Sequence, residues 1–588
     1  MYRPVLDSIG GSLALTSIFA ALPLLTLFIM LGALRLRAWV AALISLTVAV
    51  AVAVLVYSMP IGQVLLAGTE GAAFGFFPIL WIVINAIWVY NMTVVTGHFD
   101  VLRRSFGTIS DDQRIQGVII AFSFGALLEA LAGFGTPVAI TSVMLIALGF
   151  KPIKAATVAL VANTAPVAFG ALAVPITTLA TVSGLPQQDL GSMVGRQTPL
   201  LGVFVPMALV FIIDRGRGVR QTLPATLVCG VVFAVAQYLT SNFLSVPLTD
   251  IVAALASAVA VVLVLRVWQP AQTYTEAPET VSVGSGSTST GTTSTGSTTT
   301  GSTTTGSGRG TRGVPAAGGD HPVGPGSGTV AELAARDAGI VDSRADVMRA
   351  YAPYLIIIAV FIVAQIPAIK DALDSVTRLF TWPGLDLQTA SGKASALPTF
   401  KLNWLAAAGT LMVIAGLITI PVIGIKPGAA ARAYAATYRQ LATAIVTVMA
   451  VLGLAYVMNS SGQTATLGAW MAGAGAAFAL ISPVLGWLGV AVTGSDTSSN
   501  SLFGALQVTA AGKAGLEPVL MAASNSSGGV LGKMISPQNL AIACAAVGMS
   551  GREGDLFRKV IGWSIGFLAF MCVLVYLQST PVLGWMVP

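Results

Sequence analysis

Three charged residues stand where apolar sequence should exclude them. Glu129 lies in LLEALAGFGTPVAI (127–140), just ahead of Gly133-Phe134-Gly135-Thr136-Pro137, a stretch no helix runs through unbroken. Asp496 lies in GSDTSSN (494–500), where nearly every side chain offers an oxygen, and Lys533 lies between Gly532 and Met534, just before Ile535-Ser536-Pro537. A charge at the centre of a bilayer costs about 2.5–3.5 kcal/mol on insertion scales, so such residues mark ion or substrate paths or are paired. Burial favours the neutral form of an acid. That suits Glu129 to carrying a proton; the competing reading is a helix-end carboxylate that is paired or reaches water. For Asp496 the readings are proton relay, cation ligand or a residue that caps a helix start. Lys533 can hold a carboxylate as a point charge, or snorkel to interfacial water. Lys151 and Lys154 flank a short polar hinge and read as interfacial.

These residues sit on a duplicated pattern. GFGT (133–136) aligns with GSDT (494–497) at an offset of 361, and NTAPVAFGALAVP (163–175) aligns with NSSGGVLGKMISP (525–537) at 362. Asn163/Asn525, Gly170/Gly532 and Pro175/Pro537 are the matched positions. Glu129 falls opposite Val490, Asp496 opposite Gly135 and Lys533 opposite Ala171, so the scaffold is repeated and its charges are not. Gly/Pro-interrupted apolar segments at matching places in two halves point to a transporter binding site. Broken helices free backbone groups, which membranes tolerate only where they line a cavity. Half-helix N-termini suit an anion; carbonyls and Ser, Thr and Asn oxygens suit a small cation or water. On this reading Thr136, Asn163, Thr164, Asn525, Ser526 and Ser527 line the cavity with Lys533, and Glu129 and Asp496 are the proton candidates.

Elements of membrane length must position them. The chain of 588 residues is 55% hydrophobic and 9% charged, against about 25% charged in soluble domains, and its mean hydropathy is +0.84. The net charge of +7 needs no nucleic acid, because membrane proteins keep Lys and Arg in cytoplasmic loops. Leu13–Leu34 is too long for a cleaved signal sequence and long enough to span. An all-α polytopic protein is expected, with about 12–14 transmembrane or re-entrant elements at membrane-spanning lengths. Residues 1–268 form an N-terminal membrane half with the first repeat at 112–190, and 348–588 a C-terminal half with the second at 475–555. Between them, 269–347 includes SVGSGSTSTGTTSTGSTTTGSTTTGSG (282–308), a composition that reads as a disordered tether. Arg35 and Arg37, then Arg103, Arg104 and Arg114, then Arg215, Arg217 and Arg220 follow alternate spans, which favours an outside N-terminus.

Other chemistries find little support. Cys229, Cys544 and Cys572 lie in apolar runs, and His98 and His321 are far apart in polar segments, so no metal site, disulfide framework or cofactor is expected. Neither histidine begins an H-E-x-x-H motif, and His98 alone offers a base to a serine nucleophile. An intramembrane enzyme and a channel remain as remote alternatives.

LLEALAGFGTPVAI, LVANTAPVAFGALAVPI, TGSDTSSNSLFGALQVT and ASNSSGGVLGKMISPQN resemble the lactate permease family. The resemblance covers most of the chain outside the Ser/Thr/Gly tract. It implies a secondary transporter of the cytoplasmic membrane that takes up lactate and related 2-hydroxy monocarboxylates, such as glycolate, with protons. It places the chain in the ion-transporter superfamily, whose folds use two repeats, expected here to be inverted, with re-entrant hairpins, and it leaves a homo-oligomer open. In dicarboxylate members of that superfamily, Ser-Asn-Thr motifs at hairpin tips form the site. Ala162-Asn163-Thr164 and Ser524-Asn525-Ser526 are similar to them, but the first lacks the leading Ser and the second has Ser for Thr. That departure weighs against sodium and toward protons carried by Glu129 and Asp496. A sodium-coupled or dicarboxylate carrier is the alternative.

Overall fold

A computed structural model describes residues 2–275 and 342–588, apart from positions 35, 108, 132, 134, 365, 389–394 and 396. Most of the expected tether, 276–341, lies outside the described residues. Among the described residues, 10 helices are long and apolar enough to cross a membrane; one further pair is bent by 64°, and two apolar helices are shorter. The total falls within the range expected from the sequence. A helix satisfies its own backbone, which is why apolar runs of this length adopt it in lipid.

The first half opens with α1 (Leu13–Ala33) and α2 (Ala38–Leu55). α3 (Ile61–Phe74) and α4 (Trp81–Val95) follow, joined by a kinked turn at Pro78. A short amphipathic helix, α5 (His98–Gly107), leads to the first repeat. That repeat is α6 (Gln113–Leu131), α7 (Thr136–Ala147), α8 (Pro152–Ala162) and α9 (Gly170–Ser183). α10 (Gln187–Val194), α11 (Thr198–Leu239) and α12 (Thr249–Val267) complete the half. α11 is two arms that turn at Asp214 and Arg215, where φ is −136° and +54°.

The second half begins with α13 (Arg344–Ala364) and α14 (Pro367–Asp374). A β-hairpin follows, β1 (Arg378–Thr381) antiparallel to β2 (Thr399–Leu402), with Phe380 opposite Phe400. The all-α expectation did not include this hairpin, which packs Phe400 on Phe74 of α3. α15 (Ala408–Val422), α16 (Pro427–Ser461) and α17 (Gln463–Met471) lead to the second repeat. It comprises α18 (Phe478–Thr493), α19 (Asp496–Ala514), α20 (Pro518–Gly532) and α21 (Pro537–Ala546), and α22 (Glu553–Gln578) ends the chain.

The repeats match helix for helix, and their packing is reciprocal. α9 of the first packs on α19 of the second, and α7 of the first packs on α21 of the second. Since α19 is the counterpart of α7, and α21 of α9, each repeat offers the other the same pair of surfaces. A two-fold relation produces contacts of that kind. α6 of the first repeat lies in the interior: its apolar stretch is 100% buried, against 33% in α1.

Candidate functional site

Glu129 is two residues from the end of α6 and fully inside the protein. Gly133 and Gly135 take positive φ, +46° and +83°, a conformation that costs glycine little and turns the chain from α6 into α7. The Glu129 carboxylate packs on this turn and on the start of α9. A Cβ placed on Gly170 would stand 2.8 Å from its Oε1. Its oxygens have separate donors: Lys533 Nζ donates to Oε1 at 2.6 Å, and Asn163 Nδ2 donates to Oε2 at 2.9 Å. Lys533 and Asn163 are themselves buried.

Three helix C-termini thus converge on one ion pair. Asn163 caps α8, Lys533 caps α20, and Glu129 closes α6. The partial negative charge of such ends favours the ammonium, so they serve the lysine, whereas half-helix N-termini were expected to serve an anion. Asn163 Oδ1, on the side chain that donates to Glu129, and the hydroxyl of the next residue, Thr164, are buried without a partner among the described residues. Bare acceptors in a buried place are costly unless something donates to them. Ala171, Leu172 and Ala173 follow with φ of +45°, +59° and +58°. Each such residue costs on the order of 1–3 kcal/mol, and such strain collects at functional sites.

Asp496 anchors a second network on the other repeat. Its Oδ2 accepts from Ser526 Oγ at 2.5 Å and from Asn500 Nδ2 at 3.4 Å, while Oδ1 is buried without a partner. Asn500 also donates to the Pro175 carbonyl at 3.1 Å, joining this network to α9. Asn525 donates to Asn500 at 2.9 Å and accepts from Gln507 at 3.2 Å. Ser482 bonds to Ser524 and to Gln507 behind them. Asp496 is not the helix cap that its sequence suggested: Ser495 caps α19 by accepting from the Ser498 N–H, and Asp496 is the first helical residue. Its carboxylate is thereby free for the interior, and it lies within electrostatic reach of Lys533.

The remaining sequence candidates divide. Ser527 faces away from both acids and donates to Gln197 at 2.7 Å. Thr136 is half-buried at the head of α7 and joins neither network. Lys154 reaches the Ile213 carbonyl at 3.1 Å, at the outer end of its helix, as an interfacial lysine would. Among the described residues, two further buried acids have unpartnered oxygens and were not candidates in the sequence. Glu70 on α3 has neither carboxylate oxygen partnered, and Asp250 on α12 has one. Both carry the signal that exposed Glu129, a lone acid in an apolar run, but neither lies inside the repeat that drew attention.

A family described as L-lactate permease matches the chain over residues 16–307 and 324–582. An L-lactate permease of Bacillus subtilis is 40% identical, covering 99% of this chain and 98% of its own. Glycolate permease GlcA of Escherichia coli is 39% identical, covering 100% of this chain and 99% of its own. Among solved structures, the YdaH transporter of Alcanivorax borkumensis, described as having an unusual topology, overlaps with a TM-score of 0.41 at 15% identity. It covers 87% of this chain and 86% of that one.

Proposed function

The chain belongs to the L-lactate permease family, and from that premise we propose that it imports L-lactate and glycolate across the cytoplasmic membrane by proton symport. The observation that carries the coupling is the buried Lys533–Glu129 pair. Empty, the site is balanced by one cation and one anion. A monocarboxylate that claims Lys533 leaves Glu129 as an uncompensated buried charge, which is costly. A proton on Glu129 removes that cost. Substrate and proton are then required together, because either alone leaves the interior with an unpaired charge.

Recognition of the 2-hydroxyl follows from the bare acceptors. Asn163 Oδ1 belongs to the side chain that binds the lysine's partner, Thr164 Oγ1 is on the next residue, and both can accept from a hydroxyl on the carbon next to the carboxylate. A buried acceptor left unpaired discriminates against an analogue that lacks the hydroxyl. The loaded site, with lysine, carboxylate and protonated Glu129, carries the same net charge as the empty one. Transport by this cycle is electroneutral, and a gradient of one pH unit, about 1.4 kcal/mol, sustains about tenfold accumulation.

The test is uptake of labelled L-lactate into proteoliposomes with pH, sodium and potassium-diffusion gradients imposed separately. Accumulation driven by the pH gradient alone, and unmoved by the membrane potential, supports the reading. Accumulation that needs sodium overturns it and moves the coupling to the oxygens around Asp496.

A further inference from the structure

Asp250 is a buried acid that the cycle above leaves unused. It lies in the first turn of α12 with no exposed surface. Gln237 Nε2, near the end of α11, donates to its Oδ1 at 2.9 Å, and Gln237 Oε1 accepts from Thr198 Oγ1 at 3.2 Å. Asp250 Oδ2 is buried and has no partner. The charged group that bears on Asp250 is Glu129.

The helices bring two acids from distant sequence to the same depth. α12 packs along α6. Ser123 and Ser257 bond across that seam at 2.9 Å, with Cys229 of α11 3.7 Å from Ser123. Glu129 follows Ser123 by six residues, and Asp250 precedes Ser257 by seven. At about 1.5 Å per residue the two acids stand at the same depth, about 10 Å from the serine pair. α9 packs on both helices and carries Thr178, whose buried hydroxyl is also unpartnered. Gln237 of α11 touches Asp250 directly; the helices packed on α12 also carry Glu129 on α6, Cys229 further along α11 and Thr178 on α9, and the turns at 240–244 and 246–248 add no charge. Tyr354 of α13, which also packs on α12, has its electrostatic partners in Tyr90 and Tyr351. The two arms of α11 both run away from Arg215, so Thr198 and Gln237 lie toward the face opposite the arginines.

We propose that Asp250 is the proton relay of this carrier, passing the coupled proton to Glu129 from the side away from the arginine face. The O–H bond at Asp250 Oδ2 breaks as one forms on Glu129, and the negative charge moves the other way. When substrate leaves, Lys533 reclaims Glu129, the proton departs toward the arginine face, and Asp250 takes its next proton from the opposite side. The inference rests on the proton-coupled reading. It gives a reason for a buried carboxylate held by one oxygen only, and for a helix start, whose positive end tolerates the anion, lying at the depth of Glu129.

Asp250→Asn in proteoliposomes separates the alternatives, because exchange of lactate for lactate needs no net proton movement. Loss of a proton-transfer group costs about 10²–10⁴ in rate, so uptake driven by the pH gradient should fall by about tenfold or more while exchange stays within about twofold. Unchanged gradient-driven uptake overturns the relay, and so does loss of exchange in a variant that remains monodisperse. Gln237→Glu is measured alongside and decides the matter if Asp250→Asn does not fold. A second carboxylate there should move the pH midpoint of net uptake upward and leave exchange alone; an unmoved midpoint overturns the proposal. Wild-type protein without gradient-driven uptake would instead overturn the proton-coupled reading itself.

Discussion

In the proposed cycle Lys533 has one ammonium and two claimants, a carboxylate of the protein and a carboxylate of the cargo. Glu129→Gln removes the first claimant and makes the site permanently equivalent to the protonated state. Exchange of lactate should persist and accumulation driven by a pH gradient should disappear, which paired exchange and net-uptake assays in proteoliposomes would establish. Retained accumulation would end the role of Glu129. The pair also has a structural cost. Removing one partner of a buried pair costs about 3–5 kcal/mol, because the other is left charged and alone. Lys533→Met should therefore lower the thermal midpoint in detergent, and Lys533→Met combined with Glu129→Gln should recover most of the loss. If the double variant is as unstable as the sum of the two singles, the groups are not coupled. All three site charges were legible in the sequence because each interrupts apolar residues. Their pairing was not, since Glu129 and Lys533 are 404 positions apart and nothing local to either names its partner.

The matched repeats differ where one residue differs. At an offset of 362, Pro166 stands opposite Gly528. Proline disfavours helix in the residue before it, and α8 ends at Ala162 with a turn at 163–166. α20 has no proline there and runs on through Asn525 and Gly528 to Gly532. Identity alone aligned Asn163 with Asn525, but one closes a helix and turns to Glu129 while the other stands inside a helix and bonds to Asn500. The glycines of the second repeat were readable as close helix packing, and the structure names the contact. A Cβ on Gly528 would run into the Pro483 carbonyl, and one on Gly486 into the Asn525 carbonyl, so α18 and α20 touch backbone to backbone. Gly528→Ala should cost about 1–3 kcal/mol by overpacking, visible as a lower thermal midpoint, and should spread the hairpin that carries Asn525 and Lys533. An unshifted midpoint would mean that the seam yields freely.

At the scale of the whole molecule, basic side chains from several loops meet on one face, and that clustering predicts its orientation. Arg114 binds Asp112, Asp214, Gln221 and the Gln272 carbonyl. Nearby on the same side Lys154 reaches Ile213. Arg104 pairs with Asp342 and holds that carboxyl below the usual range. Tyr274 donates its N–H to Asp112, so Tyr274 and Asp342 lie on this same face. The opposite face gathers the N-terminus: Tyr2 donates to the carbonyls of Tyr57 and Ser461, and its N–H bonds to Asp386. Basic residues are retained on the cytoplasmic side, so the arginine face is expected inside and the N-terminus outside. Arginine spacing carried this much in the sequence; the fold adds that clusters from different loops meet. A variant with Cys229, Cys544 and Cys572 replaced gives a clean background for the test. A cysteine at Asp7, which is exposed, should react with a membrane-impermeant maleimide in intact cells. One at Arg220, also exposed, should react only after permeabilisation. The reverse pattern would invert the carrier in the membrane and place Asp250 on the path of proton release, since it lies toward the face where Tyr2 is bound.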